Sequence, residues 1–193
     1  MKIIFLDFDG VVSTYEKRWH LDPAKLTLVN TIVWQTDARI VVTSSWKVGK
    51  RKVDDFKEEL FGSFLVDDKN NEAFKRFVKN IYDITDSKGP DRGSEIQRWL
   101  DAHEEEVENY VILDDDSDML EDQLFNFVQT DTYEGITERE VKLCKKVLTD
   151  KVISPSRLNL VLTCRWRNEC RGLENTGIRE KIQEYRNNGR TNG

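Results

Sequence analysis

Asp7 and Asp9 stand one residue apart in the stretch FLDFDGVV, directly after the apolar residues 3–6 and directly before Gly10. In an extended segment, side chains two residues apart point to the same side, so these two carboxylates share one face. Close carboxylates repel and call for a cation. A hard ion such as Mg²⁺ takes oxygen ligands, keeps several waters and is completed by substrate phosphate. Gly10 permits a sharp turn and a close backbone approach. Alone, such a triplet is more often a strand end with solvated acids. A second acidic group, Asp114, Asp115, Asp116 and Asp118 in VILDDDSD, follows another apolar run. An N-cap and an acidic first turn account for one or two of these four; the rest call for cations or solvent.

Between the two clusters lie groups that suit a phosphoryl oxygen. IVVTSSW ends an apolar run on Thr43, Ser44 and Ser45, whose hydroxyls and amides can hold an oxyanion, although turn chemistry alone explains such residues too. DSKGPDRGSEI places Lys88 and Arg92 just before an expected helix N-terminus. Either cation could neutralise a phosphoryl group together with a carboxylate, and spacing does not choose between them.

These residues must be positioned by alternating strands and helices. KIIFLDF reads as a strand buried on both faces, ARIVVTSS as a second, NIYDIT as a short third, YVILDDD as a fourth and FNFVQT as a fifth. DPAKLTLVNTIVW reads as a helix with Asp22 as N-cap, Pro23 at its first position and Leu26, Val29 and Val33 on one face. Amphipathic pieces surround residues 56–60 and 74–78, and capping boxes are expected at Ser94/Gln97 and Thr137/Glu140. The expected fold is α/β: a doubly wound, mainly parallel sheet covered on both faces. Right-handed crossovers bring all strand C-termini to one edge, where open sheets bind ligands. The acids after Leu6 and Leu113 and the hydroxyls after Val42 then meet in one crevice.

The chain has 193 residues, 38% hydrophobic and 34% charged, which suits one medium domain with a heavily charged surface. No apolar run approaches membrane-spanning length, and the start is not that of a signal peptide. Three cysteines (Cys144, Cys164, Cys170) lack metal-ligand spacing, so a reducing, cytoplasmic setting is expected, with no membrane and no obligate protein partner. The charge divides unevenly. Residues 151–193 carry nine basic and four acidic side chains, a balance of +5, which leaves −11 on residues 1–150 of a chain whose total is −6. Two parts are expected: a domain over 1–150, and a basic C-terminal extension over 151–193, partly packed on it.

The ordered set DFDG, TSS, a Lys or Arg, and DDDSD resembles the four motifs of the haloacid dehalogenase (HAD) superfamily over roughly residues 1–150. The wider pattern of SSW, RGSEIQRWL, YVILDDDSDM and TYEGIT is similar to the HAD domains of bacterial and phage nucleic-acid repair proteins. The resemblance implies a HAD-like Rossmannoid fold with Asp7 as nucleophile, forming an aspartyl-phosphate, and Asp9 as general acid and then base. It implies Mg²⁺ held by Asp7, the Asp9 carbonyl and Asp115, with Asp114 supporting. It also implies Thr43 on the phosphate with Ser44 assisting, and Lys88 or Arg92 as stabilising cation. Where the pattern usually has a further acid, this chain has Met119 with Asp118 beside it.

The second aspartate fits phosphomonoester hydrolysis, because a leaving alkoxide must be protonated. Only 33 residues separate Asp9 from Thr43 and 48 separate Thr43 from Arg92, so no large cap domain is expected. An open crevice suits a bulky phosphorylated substrate such as a polynucleotide end or a nucleotide. Arg165 and Arg167 flank Trp166 in CRWRNECR, a combination able to bind a backbone and stack a base. Competing readings are a phosphatase of small phosphorylated metabolites and a non-catalytic HAD-fold binding module. A receiver domain has its acidic pair and lone aspartate in the opposite order, and no P-loop occurs.

Overall fold

The computed structural model describes residues 1–149 except Arg18; Arg165, Arg167 and the basic extension lie outside the described residues. The chain runs β1 (Lys2–Leu6), α1 (Pro23–Thr36), β2 (Ala38–Val42), α2 (Val53–Gly62), α3 (Glu72–Asn80), β3 (Ile81–Ile84), α4 (Arg92–Ala102), β4 (Asn109–Asp114), β5 (Phe127–Gln129) and α5 (Glu138–Thr149). Every strand pairing is parallel and the order is β3-β2-β1-β4-β5. The chain therefore builds outward from β1 on one side, then crosses back to start β4 on the other. β1 is central, with Leu6 level with Val42 on one side and Leu113 on the other.

Strand alternation divides the core. Ile4, Leu6, Ile40, Val42, Val111 and Leu113 face helices α1, α2, α3 and α5. Ile3, Phe5, Val41 and Ile112 face Ile96 and Trp99 of α4, where Phe5 meets the Trp99 ring edge-on at 5.4 Å. Both faces of β1 are dry, which is why its sequence is a continuous apolar run and not an alternating one.

α1 begins as expected: the Asp22 carboxylate accepts from the Ala24 amide at 2.8 Å and Pro23 opens the helix. Its buried face is Leu26, Val29, Ile32 and Thr36, with Val33 at the margin. At α5 half of the expected Thr137/Glu140 box forms, with the Thr137 amide donating to Glu140 at 3.0 Å, while the Thr137 hydroxyl accepts from the Arg139 amide at 3.2 Å instead of from the Glu140 amide. α4 differs from expectation. It starts at Arg92, and its N-cap is Asp91, whose carboxylate accepts from the Ser94 amide at 2.7 Å. Arg92 is thereby a first-turn helical residue instead of a loop residue. Among the described residues, no separate cap stands in either connection after β1 or β2: the first holds a short turn before α1, the second holds α2 and α3 on the sheet.

Candidate active site

β1 and β4 are neighbours from which the chain departs in opposite directions, and a crevice opens beyond their C-termini at such a switch point. Asp7 is the first residue past β1, and its amide still bonds the Leu113 carbonyl at 3.0 Å. Asp114 ends β4. The Thr43 amide bonds the Leu6 carbonyl at 2.9 Å and holds the Thr43–Ser44 turn against the same point. Carboxylate oxygens of Asp7, Asp114 and Asp115 lie within 4.8 Å of one another. Residues from the two ends of the domain thus form one site through ladder register alone.

Arg92 faces this group from α4. Its Nη2 lies 3.2 Å from Asp7 Oδ1 and its Nε 3.3 Å from Asp114 Oδ2. Lys88 is exposed on the preceding loop, so the structure brings Arg92, and not Lys88, to the carboxylates. The arginine is aimed by its own helix start: the Asp118 carboxylate accepts from the Arg92 amide at 2.9 Å, and the Asp118 carbonyl accepts from Gly93 at 3.1 Å. A Cβ on Gly93 would lie 2.5 Å from the Leu120 amide, so glycine lets this segment lie on the first turn of α4. Asp118 thus anchors α4 and is outside the cluster of three acids; Met119 packs toward α4 with Phe5 and Trp99.

Asp9 is half-buried and turned to other partners. The Trp46 indole donates to both of its oxygens at 3.0 Å, and Ser13 donates at 3.3 Å. Gly10 follows with φ of 69°, and a Cβ there would lie 2.2 Å from the Asp115 carboxylate carbon. The close approach that glycine suggested is therefore an approach to a site carboxylate. Thr132 donates to Asp115 Oδ2 at 2.6 Å.

Three residues of the site were not legible beforehand. Trp46 packs on Phe8 at 5.3 Å, and its N–H serves Asp9. Lys47 is 2% exposed. Its ammonium bonds the Thr43 carbonyl at 2.9 Å and Glu95 at 2.9 Å, and Glu95 also accepts from Thr85 at 3.3 Å. This buried pair ties the Thr43–Ser44 turn to α4, one turn beyond Arg92. Glu95 at three residues from Arg92 on one helix face was the available signal; its partner could be known only from packing.

The electrostatics follow from burial. Asp7 is pushed up to about 6 by burial, against the pull of Arg92, with Asp9 raising it further. Burial raises Asp114 well above the usual carboxylate range, and the neighbouring Asp7 adds to this. Asp9 is raised by burial against its bonds to Trp46 and Ser13, and the Lys47 ammonium is lowered by burial. Among the described residues, Thr43 Oγ1 and Asp114 Oδ2 are buried without a hydrogen-bond partner, the latter facing Arg92 Nε at the longer 3.3 Å. Gathered carboxylate oxygens, and burial that opposes the negative charge of Asp7 and Asp114, suit the donor set of a hard cation. Asp7, Asp114 and Asp115 fit one.

A parallel Rossmann-like sheet with this acidic switch point defines a HAD-type domain. The family model of the HAD domain in Swiss Army Knife RNA repair proteins matches residues 3–141, and the chain belongs to that family. The match spans every element from β1 to the first turn of α5. No curated protein and no solved structure matches the chain. Among the described residues, no helix is long and apolar enough to cross a membrane.

Proposed function

We propose that the protein is a Mg²⁺-dependent phosphomonoesterase that acts, through an aspartyl-phosphate on Asp7, on the phosphorylated ends of nucleic acids in a reducing cytoplasm. The observation that carries this reading is the buried Asp7 carboxylate, met by Arg92 at 3.2 Å with Asp114 and Asp115 beside it. Asp7 Oδ attacks phosphorus, and the bond from phosphorus to the leaving oxygen breaks. Asp9 delivers its proton to that oxygen, then accepts one from the water that attacks the acyl phosphate and releases Asp7. Burial that raises Asp9 favours the protonated form needed for the first step. The Trp46 N–H keeps its carboxyl in place between the two steps.

Arg92 offsets charge on the phosphoryl oxygens and on Asp7 together. The unpartnered Thr43 hydroxyl and the Ser44 turn supply donors to those oxygens. Asp7, Asp114 and Asp115, with the Asp9 carbonyl, are the residues that would hold Mg²⁺, which supplies charge neutralisation of the phosphate. The absence of a cap leaves the crevice open to a polymer, and the +5 balance of residues 151–193 suits recruitment of a polyanion through residues such as Arg165 and Arg167.

The test is turnover of a panel of phosphomonoesters with Mg²⁺: sugar phosphates, mononucleotides, and 3′- or 5′-phosphorylated oligonucleotides. Oligonucleotide ends are expected to give the highest kcat/KM, Asp7→Asn to lose several orders of magnitude, and EDTA to abolish turnover reversibly. Preference for a sugar phosphate would favour the metabolite reading, and no turnover of any ester would favour the binding module.

A further inference from the structure

Three exposed aromatic rings cluster beside the acidic site without serving it. Tyr15 is 62% exposed, Tyr133 65% and Trp19 37%. Tyr15 meets Tyr133 at 6.0 Å and Trp19 at 6.4 Å, both edge-on. Exposed aromatic groupings of this kind mark binding surfaces. The chain holds them out firmly. Tyr133 tops a turn in which Asp131 accepts from the Tyr133 and Glu134 amides at 2.9 and 3.0 Å. That turn closes on Gly135, with φ of 69° and tight against the Val11 carbonyl. Trp19 has φ of 63°, a region that a bulky L-residue enters only at a cost, with its amide bonded to Thr14 at 3.0 Å.

The cluster also touches the chemistry through the chain. Tyr133 follows Thr132, which bonds Asp115, and Tyr15 lies two residues after Ser13, which bonds Asp9. Successive Cα atoms are about 3.8 Å apart, so the rings stand within roughly a nucleotide's reach of the reacting carboxylates. Their polar neighbours are mixed in charge, the exposed acids Glu16, Asp131 and Glu134 with the exposed Lys17, so the rings themselves are what the surface offers a ligand, and a planar group is what rings bind.

We propose that Tyr15, Trp19 and Tyr133 form a stacking platform for the base of the nucleotide next to the scissile phosphate. The proposal rests on the polynucleotide-end reading above and names its recognition element. Base–aromatic stacking tolerates any sequence, because every base has a π-face. The enzyme would therefore require a base at the phosphorylated end without requiring a particular one.

The test pairs a terminally phosphorylated ribo-oligonucleotide with the same oligonucleotide abasic at its last two positions. Tyr15→Ala/Tyr133→Ala is expected to lower kcat/KM on the base-bearing end about tenfold, chiefly through KM, and to change the abasic end less than about twofold. Tyr15→Phe/Tyr133→Phe should restore the parent values, since the ring and not the hydroxyl acts. Equal losses on both ends, or failure of the phenylalanine variant to rescue, would overturn the platform. Thermal melts check folding, and Tyr133→Ala alone replaces the double variant should the latter unfold.

A readout independent of turnover uses the Asp7→Asn protein. Fluorescence quenching by the base-bearing oligonucleotide should exceed that by the abasic one, and the excess should vanish in Trp19→Phe. If the parent hydrolyses neither end while base-dependent quenching persists, the phosphatase reading fails and the platform stands. Quenching indifferent to the base, or rings that instead join two copies in a concentration-dependent dimer, would refute it.

Discussion

At the scale of single residues, the site is a contest between burial and charge, and Arg92 decides its geometry. A lysine in its place keeps one positive charge but cannot reach Asp7 and Asp114 with two fixed nitrogens. Arg92→Lys is expected to lower kcat by about 10²-fold or more, the scale seen when one preorganised charge-stabilising donor is lost, whereas Lys88→Ala should stay near the parent. Steady-state kinetics on one phosphomonoester compares the two. Burial also leaves a signature in stability. Asp7 has a folded value of about 6 against an ordinary 3.8. Between those values the native chain holds a proton that the unfolded chain has released, so native stability falls as pH rises through this window and levels off above it. Metal-free Asp7→Asn, which cannot titrate there, should gain on the parent from about pH 4 to pH 6, by at most about 3 kcal/mol. Urea unfolding at a series of pH values measures the gain, and a flat difference would show that Asp7 is not protonated in the folded apo-protein.

At the scale of elements, two devices bind α4 to the rest of the site. The first is Asp118 on the Arg92 amide. The second is the Lys47–Glu95 pair, which joins the turn after β2 to the first turns of α4. Lys47 is buried beside a carboxylate, so Lys47→Met strands Glu95, and a loss of about 3–5 kcal/mol is expected in denaturant melts. Replacing both, Lys47→Met/Glu95→Leu, should recover most of that stability, because an apolar pair of similar volume has no charge to solvate. Activity should not return with stability if the pair aligns Thr43 with Arg92. Gly10 is the other joint. Gly10→Ala places a methyl into the Asp115 carboxylate and strains a positive φ, so it is expected to cost both folding stability and metal affinity, read by melting with and without Mg²⁺.

At the scale of the whole molecule, the domain gathers acids that repel one another across the sheet centre, and folding must hold them together. A divalent cation that binds this arrangement and not the unfolded chain stabilises the fold by mass action. Burial raises Asp7, Asp9 and Asp114 alike, so protons compete with the metal at low pH. The rise in Tm on adding Mg²⁺ should therefore be small near pH 5 and grow toward pH 8. A Tm shift independent of pH, or one that survives Asp7→Asn/Asp115→Asn, would place the ion elsewhere.

Much of this was written in local pattern. Continuous apolar runs of three or four residues made β1, β2 and β4 legible as doubly covered strands, and the acids and hydroxyls that end them marked the edge where a site forms. Asp22–Pro23 announced α1, and Gly10 announced a close approach, because caps and glycine geometry are local. The choice between Lys88 and Arg92 was not local: it turned on where α4 begins, which Asp91 and the distant Asp118 decide together. Nor could spacing show that the Trp46 indole reaches back to Asp9, or that the Lys47 ammonium is buried against Glu95, 48 positions away. Sequence by itself determined the strands, their order of chemistry and the acidic character of the crevice. Only the tertiary structure assigned each charge its partner, because side-chain partners across a sheet are set by register and packing and not by distance along the chain.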